Sequence, residues 1–273
     1  MDSTRHFPGA APSPSGQPRA TILESALRSA FAPYLALLVL LPVVCWLWIV
    51  VMARDMYGPM TGASAWMMTR HWDAAHLSLL WAMWAVMMAG MMIPSASPLM
   101  ILYAVAARRS ARGMVGRQVY GLAAGYLAAW VVFSLGATAM QRMLAELLLL
   151  SPMMEVTSSR ASAALLFIAG IYQLTPIKQA CLRACQSPLG FLMSRWRDGW
   201  SGALRMGIEH GAFCVGCCWA LMLLLFAGGV MNLAVILALT AFVAFEKLAP
   251  LGPHGARVSG ALLIAAGLWM LAL

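Results

Sequence analysis

The sequence predicts an all-α protein: a polytopic membrane helical bundle of about seven transmembrane helices, N-terminus inside and C-terminus outside. Three observations carry that prediction. Of 273 residues, 62% are apolar and only 10% charged, at a mean hydropathy of +0.81, whereas soluble domains carry about 25% charged residues. The apolar residues fall into runs near the ~20 residues that cross a bilayer as a helix. The basic residues collect between alternate runs, which is the signature of a fixed orientation.

Residues 1–28 open with a Pro-, Ser-, Gly- and Ala-rich stretch and are expected to form a disordered cytoplasmic tail. Residues 29–273 are expected to form one transmembrane domain. The first span, about 31–53, is too long for a signal-peptide core and lacks a small-residue cleavage site, so it reads as a retained helix. The second, about 78–106, contains Pro94 and Pro98. Each proline removes a backbone donor and is expected to break or kink the helix, and the freed carbonyls need protein or a watery cavity to satisfy them. The third, about 118–140, carries Gly121 and Gly125 at the GxxxG spacing of close helix contact. The fourth is about 160–177. Spans five and six, about 207–229 and 231–249, form a hairpin through Gly228-Gly229, and the seventh is about 256–272.

Counted by connection, fourteen of the 18 Lys and Arg residues fall on the N-terminal side and four on the other, which sets the N-terminus inside. The net charge of +9 is thereby accounted for, and no basic stripe suited to nucleic acid remains. The six cysteines, Cys45, Cys181, Cys185, Cys214, Cys217 and Cys218, all avoid the predicted outer loops, so the thiols are expected to be reduced or metal-bound rather than a disulfide framework.

Span five holds the most informative pattern. Met206, His210, Cys214, Cys218 and Met222 recur every four residues and so wind slowly down one helical face. Cys217 lies at the edge of that stripe. Thioether, imidazole and thiolate are ligands of soft metals, Cu(I) above all, and Zn(II) also accepts Cys and His. Polar groups in a membrane helix are costly and usually functional. Buried Cys and Met also serve as ordinary packing residues, but three cysteines within five positions beside an aligned histidine favour a metal. Cys181 and Cys185, four apart just past the inner end of span four, share a face, and the two thiol clusters could meet there. Lys178 and Arg183 beside them would favour thiolates or bind anionic headgroups. In span two, Met83, Met87 and Met91 form one row and Met88 and Met92 the next, a weak Cu(I) path or simple packing.

Three further features weigh less. His71 and His76, five apart beside Trp72, would bind Cu(II) or Zn(II) or sit wet at the interface. Glu209 would pair with Arg205 or orient His210. Glu246-Lys247 is expected to anchor span six at the inner boundary.

Several motifs recur together: Gly170-Ile-Tyr-Gln-Leu-Thr-Pro176-Ile-Lys178, Cys181-x3-Cys185, Met206-Gly-x2-His210-Gly-x2-Cys214-x-Gly-Cys217-Cys218 and Trp81-x-Met83-x3-Met87-Met88-x2-Met91-Met92-x-Pro94. On these the chain resembles the predicted metal-binding integral membrane protein family, which includes the copper-chaperone membrane proteins associated with bacterial polyphenol oxidases. The resemblance covers about residues 75–272 and makes the membrane domain metal-binding. It implies a bacterial inner-membrane protein that handles copper. Such a protein would act as a Cu(I) chaperone or transporter, with a copper donor or copper-enzyme client as partner and a homo-oligomer still open.

Other function classes fit less well. A membrane thiol oxidoreductase using Cys214, Cys217 and Cys218 would need an exposed pair on the oxidising side. Covalent haem attachment needs His after CxxC, where this chain has Cys218. A non-catalytic subunit whose cysteines merely pack is the remaining rival. No nucleophile–base pair, phosphate-binding glycine loop or paired carboxylate points to a hydrolase or an ATP-driven enzyme.

Overall fold

The computed structural model describes residues 19–58, 72–110, 115–151, 154–249 and 252–272. Their regular structure is helical: α1 (Arg19–Met56), α2 (Ala74–Ser110), α3 (Val115–Glu146), α4 (Ser159–Leu174), α5 (Pro176–Gln186), α6 (Pro188–Arg195), α7 (Gly199–Met222), α8 (Leu224–Gly228), α9 (Leu233–Leu248) and α10 (Gly252–Ala272). The one bridge between extended residues pairs Leu150 with Val156 in the α3–α4 connection. Helix α1 begins at Arg19, so residues 19–28, expected in the tail, have helical backbone.

Among the described residues, five helices are long and apolar enough to cross a membrane, and a sixth crossing results if the bent pair α4–α5 is one span. The remaining expected span corresponds to α9. Its 16 residues rise about 24 Å, against ~30 Å of hydrocarbon. Asn232 caps it, its side chain accepting from the N–H groups of Ala234 and Val235.

The bend within α4–α5 follows from three residues. Pro176 occupies the first turn of α5, where a missing N–H costs nothing. It also pushes Thr175 out of the helical region, to φ −71° and ψ 147°. Thr175 then caps α5, its Oγ1 accepting from the Lys178 N–H at 3.2 Å. The chain turns by 68°, which lays α5 against α7.

The two prolines of α2 do not break it: the helix runs unbroken from Ala74 to Ser110. The carbonyls they free find side chains instead. Pro94 cannot donate to Gly90, and the Trp46 indole N–H of α1 takes that carbonyl at 3.2 Å. Pro98 cannot donate to Pro94, and the Ser97 hydroxyl does so at 2.8 Å. Satisfied in this way, a proline-bearing helix survives in an apolar interior.

Helices α2, α3 and α7 form the centre, with α3 packed on both the others. Within the best membrane-spanning window, 61% of α2 and 56% of α7 is buried, against 28% of α1 and 22% of α10, which places the two ligand-rich helices inside and the other two at the rim. The α3–α7 seam is backbone against backbone. A Cβ on Gly125 would collide with the Leu204 carbonyl, and one on Gly207 with the Leu122 carbonyl. The GxxxG pair therefore packs as expected, against a reciprocal glycine of the ligand helix.

Candidate metal centre

All five members of the four-residue ladder on α7, Met206, His210, Cys214, Cys218 and Met222, are buried, and so is Cys217. The sequence stripe is thus an inward face. The α4–α5 bend brings the second thiol pair to it. Cys185 Sγ lies 3.9 Å from Cys217 Sγ, while Cys181 Sγ sits over Gly216, close enough that any side chain there would strike it. The Tyr172 hydroxyl of α4 donates to the Gly216 carbonyl and holds the same junction. The two thiol clusters, 32 residues apart in sequence at Cys185 and Cys217, meet.

Two sulfurs bound to one ion at about 2.3 Å each stand roughly 4 Å apart, so the Cys185–Cys217 separation suits a shared thiophilic ion. The other sulfurs are engaged differently. Cys217 and Cys218 both donate to the Cys214 carbonyl, at 3.1 and 2.9 Å, an arrangement open to cysteines three and four residues on. Among the described residues no three His, Cys, Asp or Glu side chains already converge as a closed cage. For Cys218 to join an ion between Cys185 and Cys217, its thiol would have to leave the Cys214 carbonyl.

Cys214 has the richest surroundings. The Tyr126 hydroxyl of α3 lies 3.0 Å from its sulfur and donates to the Met92 carbonyl of α2 at 3.1 Å, tying the three central helices to one atom. Lys247 Nζ lies 2.9 Å from the same sulfur and 3.2 Å from Ser95 Oγ. His210 is 3% exposed, its ring 5.0 Å from that of Phe191 and 6.0 Å from that of Tyr126, and its Nδ1 has no hydrogen-bond partner among the described residues. A buried imidazole nitrogen without a partner is costly and is the kind of group a metal satisfies. A cavity of about 210 Å³ reaches this point, lined in part by His210, Cys185, Lys247, Ser95 and Gln186.

Lys247 and Glu246, expected to anchor α9 at the inner boundary, are both buried within the protein. Glu246 pairs with Lys178 at 2.6 Å and accepts from Gln173, which also donates to Ser259 at 3.0 Å. The short α9 ends inside the protein, so its last turn delivers charge to the interior. Lys178 is therefore committed to Glu246 rather than to headgroups. Glu209 takes the first of its two expected roles, pairing with Arg205 at 3.7 Å and also with Arg197 at 2.9 Å and Arg195 at 3.2 Å.

The methionines of α2, Met83, Met87, Met88, Met91 and Met92, are all buried, none more than 1% exposed. Their row ends beside the sulfur cluster, where the Met92 carbonyl shares Tyr126 with Cys214. Near its other end the Trp84 indole donates to Gln141 Oε1 at 2.7 Å. Cys45 packs against Gly90 on α2, apart from the cluster. His76 is buried with its ring 5.2 Å from that of Trp72, while His71 lies outside the described residues. Sequence reasoning missed Tyr126, Ser95 and the inward role of Lys247. The only available signal was an ionisable pair at the end of an apolar run.

Among known proteins, one family model matches residues 81–270, that of PpoB2, described as a copper chaperone. No curated protein and no solved structure matches the chain.

Proposed function

The chain belongs to the PpoB2 copper chaperone family, and from that premise we propose that it is an integral membrane protein of the bacterial inner membrane. It takes Cu(I) at the sulfur cluster between α5 and α7 and delivers it to an exported or membrane copper enzyme. The observation that carries this reading is the 3.9 Å approach of Cys185 to Cys217, near a buried histidine whose Nδ1 has no hydrogen-bond partner among the described residues.

Cys181 and Cys185 on the short α5 receive the ion from a donor on the cytosolic side. Cys217, Cys214 and Cys218 hold it, with His210 as an imidazole ligand at the cavity. Met206 and Met222 bound the ladder, and the α2 row from Met92 through Met91, Met88 and Met87 to Met83 offers neutral thioethers for onward passage. Thiolate binds tightly, whereas thioether binds weakly enough to release. The protein performs no covalent chemistry. In this reading seven helices cross the bilayer, with α9 as a short seventh and the N-terminus inside, and the ion moves outward.

Elemental analysis of protein purified from copper-supplemented membranes tests this. Near-stoichiometric copper is expected, lost in the Cys214→Ser, Cys217→Ser double variant. Copper-free wild type, or a double variant that keeps its copper, would overturn the reading. The same thiol proximity also favours one rival, a thiol oxidoreductase working with quinone. Quinone-dependent thiol oxidation that survives copper removal would support that rival.

A further inference from the structure

Lys247 is a buried cation beside a metal-ligand sulfur. Its ammonium nitrogen is 2.9 Å from Cys214 Sγ and 3.2 Å from Ser95 Oγ, and its side chain lies within a residue only 6% exposed. The nearby carboxylate does not neutralise it, because Glu246 turns the other way and bonds Lys178. Among the described residues, the groups around Lys247 include Cys214 and Ser95, the nearby thiols of Cys217 and Cys218 and, across the shared cavity, His210 and Cys185. Tyr126 lies beyond Cys214.

We infer that Lys247 sets the charge specificity of the sulfur site, admitting a monovalent thiophilic cation and rejecting divalent ones. The inference rests on the proposed Cu(I) site and deepens it. An ion bound to Cys214 at about 2.3 Å sits within roughly 5 Å of the ammonium. There the repulsion from the ammonium is twice as great for a dication such as Zn(II) as for a monovalent ion. At about 5 Å and an effective dielectric of ~20, each extra unit of charge lowers affinity by a factor of roughly a hundred or more. Ligand type cannot supply this discrimination, since cysteine and histidine serve Zn(II) as readily as Cu(I). Ser95 holds the ammonium from the α2 side and keeps it beside the site.

The test is competitive binding to the full-length protein in detergent, with Ag(I) as an air-stable monovalent probe, Cu(I) under reducing conditions, and Zn(II). Wild type is expected to bind Ag(I) and Cu(I) and to exclude Zn(II). In Lys247→Met the ratio of Zn(II) to Cu(I) affinity should rise at least tenfold, with sulfur coordination of Cu(I) unchanged by X-ray absorption. Lys247→Arg, which keeps the charge, should retain the wild-type ratio, an outcome that a purely packing role for Lys247 would not give. If Lys247→Met cannot be recovered folded, Lys247→Gln serves as the neutral variant. A neutral variant with the wild-type Zn(II) to Cu(I) ratio overturns the inference and leaves the copper site standing. Wild type that binds neither Ag(I) nor Cu(I) overturns the underlying reading instead.

Discussion

The two ligand-bearing walls of the bundle, α7 and α2, are both buried, both rich in sulfur and in contact through Tyr126, yet they differ in what surrounds the sulfur. Cys214 on α7 has a lysine ammonium, a phenol hydroxyl and the thiols of its neighbours around it. The thioethers of α2 belong to the hydrophobic core, packed among buried residues such as Leu80, Trp84, Leu122 and Phe226. If both walls bind an ion as proposed, the first would charge-balance and hold it and the second only solvate it, so that a strong site would open onto a weak one.

Four perturbations test how far the contrast holds, beginning with the most damaging. Gly207→Leu drives a side chain into the Leu122 carbonyl and should abolish recovery of monodisperse protein by size-exclusion chromatography, because the two walls could no longer share the α3 post. Glu246→Gln removes the carboxylate that pairs with Lys178, a residue 0% exposed. The loss should be about 3–5 kcal/mol in equilibrium unfolding, largely recovered by adding Lys178→Met.

Tyr126→Phe deletes the hydroxyl that joins Cys214 to the Met92 carbonyl. Its stability cost should be about 1 kcal/mol, and copper transfer to a competing Cu(I) chelator should change several-fold at unaltered stoichiometry. The mildest is Met87→Leu with Met91→Leu. Volume-conserving swaps of this kind cost under ~1.5 kcal/mol each, so fold and stoichiometry should persist while release from membrane vesicles slows. Unchanged release would reduce α2 to packing and leave α7 as the whole site.

Much of this arrangement was legible from residue spacing. The α7 ladder follows from a period of four and the glycine seam from GxxxG, whereas spacing allowed the two thiol pairs to meet without showing that they do. What spacing could not reveal is contact between distant elements: Lys247 reaches Ser95 across 152 positions and Cys214 across 33. The ends of apolar runs also mislead. A Glu-Lys pair after such a run is normally exposed, but here both residues are buried and reach Lys178 and Cys214 instead. The prolines of α2 leave the helix unbroken, and protein side chains meet the freed carbonyls, one of the two routes expected for them. Local sequence announces the missing donors, and only the tertiary structure supplies Trp46 to offset one of them.

The glycine seam has one further consequence. Where α3 and α7 touch through Gly125 and Gly207, a slide of either helix by one residue would bring a methyl or larger group to a place that accommodates only hydrogen. The pair is therefore locked in register like a key cut for a single depth. Any rearrangement that opens a path for an ion must be made by the shorter pieces around it, α5, α6 and the end of α9, turning against a post that cannot shift.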